Sequence, residues 1–170
     1  MRRFTDNSGQ AWDIALTIGD VRRIQSATGI NLLEPALGED GKPAGNGTLP
    51  LALVLQNDLL RFYDILQALL ERDADMKNID AEQFGKRLAG SCLIDAHVAF
   101  FDEWHDFFLQ IRRKAMADIV GKTGELTRAV YDLAEKRTSR LDVTQAIKEI
   151  ETQIAAMDGV SSGISPDSSE

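Results

Sequence analysis

Cysteine is almost absent: Cys92 stands alone in 170 residues. One thiol makes no internal disulfide and no cysteine-built zinc site. Histidine is nearly as scarce, with only His97 and His105. Long apolar runs are missing too, since the longest, residues 51–55, is far short of the roughly 18 that mark a membrane span. The start, MRRFTDNSGQ, turns polar instead of entering a secretory apolar stretch, and its two arginines read as a solvated strand end. Positive charge is in deficit, with 19 basic against 27 acidic side chains and a formal net charge of −8. A chain of that sign lacks the basic footprint of a nucleic-acid binder. The expectation is a soluble, intracellular protein with no cofactor, no nucleic acid and no membrane among its partners.

What is present suffices for one core: 44% of residues are hydrophobic and 27% charged. Phe4 precedes the turn formers Asp6, Asn7, Ser8 and Gly9, after which Trp12, Ile14, Leu16 and Ile18 alternate with smaller or polar residues. That pattern predicts a β-hairpin with one apolar face. Asp20 is the expected N-cap of a short helix that Gly29 ends. Residues 35–50 hold three prolines and four glycines and read as a loop. From Pro50 the spacing turns helical, with Leu51, Leu55, Leu59, Phe62, Leu66 and Leu69 on one face and a break over residues 73–78.

Asp80 and Gln83 form the pattern of a capping box. Phe84, Leu88, Cys92, Ala96, Phe100, Trp104 and Phe108 then recur every four positions. Strict four-spacing drifts by about 40° per step around a helix, so a break at Gly90 and Ser91 is expected. The next helix is expected to fade at Gly121 and Gly124, with Leu126, Val130, Leu133 and Ala134 in another. Asp142 and Gln145 are a second capping-box pattern, opening a helix over residues 143–157. The expected fold is mainly α with a small N-terminal β-hairpin, one bundle-like domain over residues 1–158: hairpin and short helix in 1–34, loop in 35–50, helical region in 51–158. The polar residues 159–170 are expected to be disordered.

Catalytic patterns fail one after another. Asp102 and His105 have the spacing of a di-iron carboxylate–histidine pair, but Ile94 stands where His97 would need its acid. Gly121, Lys122 and Thr123 resemble the end of a phosphate-binding loop, yet Met116 occupies the required glycine position. Cys92 has His97 five residues on and no orienting third group, so it reads as a buried structural thiol. No enzyme signature remains.

Two features exceed the ordinary. Phe100, Phe101, Trp104, Phe107 and Phe108 spread around most of a helix, more than one core-facing stripe requires. Core packing is one reading. The other is a partner or self-association surface, for which Phe101, Trp104, Phe107 and Phe108 are the candidates. Charge is also split: residues 51–110 carry 5 basic and 11 acidic side chains, and residues 111–124 carry 4 and 1. The basic run includes Arg112 and Arg113, which join the candidate set. Acidic patch against basic patch suits a homo-oligomer, although such layouts are often plain solvated surface.

The segment FTDNSGQAWDIALTIGDVRRIQSATGINLLEP and the later AFFDEWHDFFLQIRRKAMADIV together resemble the tail assembly chaperones of long-tailed bacteriophages and prophages. The resemblance covers residues 4–34 and 99–120, less than half of the chain, and its motifs are patterns of residue type. It implies a non-catalytic protein of the host cytoplasm, absent from the mature virion, that binds the long helical tape measure protein and keeps it soluble. It also implies a link to the tail tube protein, through a longer frameshifted product. The glycine-rich loop at 35–50 is not explained by it. The alternative reading is a minor structural or connector protein retained in the finished particle.

Overall fold

Asp6 closes the first turn. Its Oδ1 accepts from the Ser8 amide at 2.9 Å, the Ser8 hydroxyl at 2.7 Å and the Gln10 amide at 2.9 Å. Its Oδ2 takes the Trp12 indole N–H at 3.0 Å. Burial opposes the charge, but these bonds from Ser8, Trp12 and Gln10 outweigh it and hold the carboxyl below its usual range. The turn joins β1 (Arg2–Thr5) to β2 (Ala11–Ile14), antiparallel, with Phe4 opposite Trp12. This is the expected hairpin at the head of a mainly helical chain. The computed structural model describes residues 1–37 and 49–140, with side chains to residue 137. Its two compact units are Met1–Tyr131 and Asp132–Glu170. The expected loop centre (38–48), the helix over 143–157 and the tail at 159–170 lie outside the described residues.

The alternation beyond Ile14 does not stay in strand. Helix α1 (Ile18–Thr28) begins earlier than expected, capped by Thr17 instead of Asp20. Thr17 Oγ1 accepts from the Asp20 amide at 3.2 Å, and Asp20 Oδ2 accepts from the Thr17 amide at 3.0 Å. This reciprocal box satisfies two donors and makes Asp20 the third helical residue. Ile18 is consequently exposed, while Leu16 is buried. Gly29 ends the helix at φ 78°, a left-handed position that suits glycine.

After the loop come α2 (Leu51–Asn57) and α3 (Leu59–Met76), separated where an unbroken apolar face is expected. Asp58 makes the break, accepting from the Leu60 and Arg61 amides, each at 3.1 Å. Leu59 and Leu60 therefore sit on an exposed first turn rather than in the core. Helix α3 runs through the expected break at residue 73 and stops at Met76, with Asn78 at φ 53°. Asp80 then caps α4 (Ala81–Arg87) by accepting from the Gln83 amide at 2.7 Å.

Helix α5 (Ser91–Gln110) follows Gly90, whose φ of 68° provides the expected break. With the phase reset there, all seven residues of the four-spaced run are buried. The last described helix is α6 (Lys114–Arg140). Gly121 and Gly124 do not end the preceding helix as expected; they lie inside α6. The break falls instead just before Lys114, where Arg112 adopts φ 60°. In the second unit, Asp132 to Arg140 are described, and Leu133 is half-exposed.

Candidate functional site

The aromatics of α5 are buried on more than one side of the helix, and this overturns their surface reading. Phe101, Trp104, Phe107 and Phe108 are between 0% and 2% exposed. Ring follows ring along the helix: Phe62 of α3 meets Phe100 at 5.5 Å, Phe100 meets Trp104 at 5.6 Å, and Trp104 meets Phe108 at 6.2 Å. The four aromatics offered as interface anchors are core residues. A single stripe does not need them all, but a helix packed on several sides does.

Arg112 and Arg113 stay at the surface. Arg113 is held there, donating to the Leu33 carbonyl at 3.0 Å, with its guanidinium 6.0 Å from the Phe108 ring centroid. Of the six candidate residues, only these two reach solvent, and they precede the exposed Lys114 in a basic turn.

Polar groups inside the α5 region are structural in their geometry. His97 is fully buried, its Nε2 3.0 Å from the Leu55 carbonyl and its Nδ1 3.0 Å from the Tyr131 hydroxyl. A carbonyl only accepts, so Nε2 carries the proton and Nδ1 accepts from Tyr131. Burial lowers the histidine pKa from 6.5 to about 4, against the opposing effect of the Leu55 bond. Buried Glu103 accepts from the Leu16 amide at 3.2 Å. Its Oε2 lies 2.6 Å from the Met1 ammonium, a charge contact without hydrogen-bond alignment.

The sequence patterns weighed for chemistry are likewise occupied. Asp102 pairs with Arg128, while His105 faces Asp106 at 3.4 Å, so the two do not converge. Cys92 Sγ lies 3.3 Å from the Arg87 carbonyl and 3.2 Å from that of Ala89, bracing the turn into α5. Thr123 sits in mid-helix and donates to the Ile119 carbonyl at 3.0 Å. Among the described residues, no three His, Cys, Asp or Glu side chains are grouped to hold a metal. No described helix is long and apolar enough to cross a membrane.

The feature that sequence reasoning missed is on α6, where two threonines are buried while two large aliphatic residues lie outside. Its buried positions include Ala117, Val120, Thr123 and Thr127, whereas Leu126 and Val130 are 48% and 49% exposed. Thr127 satisfies its hydroxyl within the helix, donating to the Thr123 carbonyl at 2.8 Å. The small residues are inside because α6 lies close to α5: a Cβ on Gly124 would stand 3.2 Å from Phe101 Cβ, and one on Gly121 would stand 3.0 Å from His105 Cδ2. The legible signal was the series Ala117, Gly121, Gly124 and Thr127, small residues at helical spacing. Leu126 and Val130, four apart, share the outward side. Comparison with known proteins finds no matching family model, no matching curated protein and no matching solved structure.

Proposed function

We propose that the protein is a non-catalytic assembly chaperone of a phage-like tail, which holds the tape measure protein soluble in the host cytoplasm until tail tube protein takes its place. The observation that carries the reading is the exposure of Leu126 and Val130 on α6. Two large aliphatic side chains, Leu126 and Val130, face solvent on a helix in which Thr123 and Thr127 are buried. An apolar helix face left outside suits an apolar, helical client. The resemblance of residues 4–34 and 99–120 supplies the identity of that client. With the α5 aromatics inside, client contact moves from Trp104 and its neighbours to the α6 aliphatics.

The test is co-expression with the tape measure protein, scoring how much of it remains soluble. Rescue by the native chain, and its loss in a Leu126→Asp/Val130→Asp double variant of unchanged circular dichroism, is the expected result. Solubility indifferent to the native chain, with the protein found by mass spectrometry in finished particles, would replace the chaperone with a retained structural component.

A further inference from the structure

The two edges of the hairpin are not alike. The Asp6 amide donates to the Gln10 carbonyl at 2.9 Å, extending the ladder one pair beyond Thr5 and Ala11. Hydrogen-bonded pairs alternate in an antiparallel ladder. Phe4–Trp12 and Arg2–Ile14 are therefore the bonded pairs, and the main-chain groups of Arg3 and Thr5 point away from β2. On the opposite edge, the outward carbonyl of Ala11 is occupied, accepting from Lys77 Nζ at 3.3 Å and Gln10 Nε2 at 2.9 Å. Lys77, at the end of α3, thus covers this edge from outside the sheet. On the β1 edge, the main-chain N–H and C=O groups of Arg3 and Thr5 take no partner among the described residues.

An open cleft of about 470 Å³ runs beside this edge, between β1 and the α5 residues Asp95, Val98, Ala99 and Asp102. Its charges are mostly committed. Arg2 pairs with Asp106 and Arg3 with Asp13, each at 2.6 Å, and Asp102 with Arg128. Asp95 is exposed and has no such partner among the described residues. The cleft thus offers the outward main-chain groups of two residues, an apolar strip at Val98 and Ala99, and one uncommitted carboxylate.

We propose that this edge docks an extended peptide segment of another protein, bearing lysine or arginine, which adds as a third strand beside β1 and sets its cation against Asp95. Main-chain bonds supply the affinity in such strand addition, and the side-chain contacts supply selection. A helical segment has no free main-chain groups to offer, so this site is separate from the α6 surface and does not rest on the chaperone reading. A second copy of β1 would bring arginines against arginines. The chain's own residues 159–170 carry Asp167 and Glu170 and no basic residue, the wrong sign for Asp95.

The probe is a fluorescein-labelled Thr-Val-Lys-Val-Thr-Val-Lys peptide, titrated with the full chain and followed by anisotropy. Two controls carry Glu for Lys, or N-methyl groups at alternate amides. Saturable binding is expected, weakened about tenfold or more by either change. Asp95→Lys should reverse the preference toward the Glu peptide. Thr5→Pro removes an outward N–H without touching the hairpin's own bonds and should abolish binding. In the unsubstituted chain, amide exchange at Arg3 and Thr5 should slow when the peptide is added, which reads the same contact without any variant. Absence of saturable binding, equal binding of the Lys and Glu peptides, or equal binding of the N-methylated peptide would overturn the proposal.

Discussion

The indole N–H of Trp104 donates to the Leu32 carbonyl at 2.9 Å, joining two fully buried residues 72 positions apart. The bond ties the segment after α1 to the middle of α5. Trp104→Phe keeps much of the apolar volume but strands that carbonyl, at a cost of about 1–3 kcal/mol. Urea unfolding should show the midpoint falling accordingly. A surface tryptophan would register within about 0.5 kcal/mol, so a loss that small would remove Trp104 from the core.

Acid should weaken the fold through His97. Its folded pKa, about 4, lies below the ordinary 6.5 because burial disfavours the imidazolium. The unfolded chain therefore binds this proton first. The histidine's contribution is intact above pH 6.5, declines as pH falls below it, and is lost once pH passes through about 4. The swing is about 3 kcal/mol, as an order of magnitude, from the interval between 6.5 and about 4. In His97→Gln the stability difference between pH 7 and pH 4 should shrink by a comparable amount, as measured by urea unfolding at both values. An unchanged difference would mean that His97 is not buried neutral.

Gly121 and Gly124 should respond differently to alanine. Both lie inside α6, where alanine gains about 1 kcal/mol of intrinsic helix preference over glycine. At Gly121 the obstruction is the ring of His105, a half-exposed side chain that can swing aside. At Gly124 it is Cβ of Phe101, fixed to the backbone of α5 at a buried position. Gly124→Ala should lose a net of about 1–2 kcal/mol through overpacking. Gly121→Ala should match or exceed the native chain in thermal melts. The reverse order would mean that α5 and α6 are not in close approach.

Those two glycines also show where the sequence is legible and where it is not. Elements with a local cause could be read directly: the Asp6–Gly9 turn, the αL stop at Gly29, and the phase reset at Gly90. Asp20 was the expected cap because its carboxylate can accept amide bonds, but the reciprocal bonding makes Thr17 the cap and Asp20 its partner. The number of neighbours around a helix has no comparable local signature. Phe101 and Phe107 looked surplus only against the assumption that α5 buries one side. Glycine spacing on α6 carried the missing information, since a helix without Cβ atoms at two positions can approach a partner closely. Read as helix terminators, the same glycines concealed both the burial of the aromatics and the exposure of Leu126 and Val130.

Synthesis of the chain imposes an order on the contacts of the hairpin. Arg2 pairs with Asp106, 104 residues downstream, and β1 packs along α5. At about 5–20 residues per second, translation separates these partners by roughly 5–20 s. A two-stranded hairpin alone is at best marginally stable in water. Phe4, Trp12 and Ile14 therefore emerge from the ribosome well before the helix that shelters them exists, and the hairpin can settle only once α5 has been made.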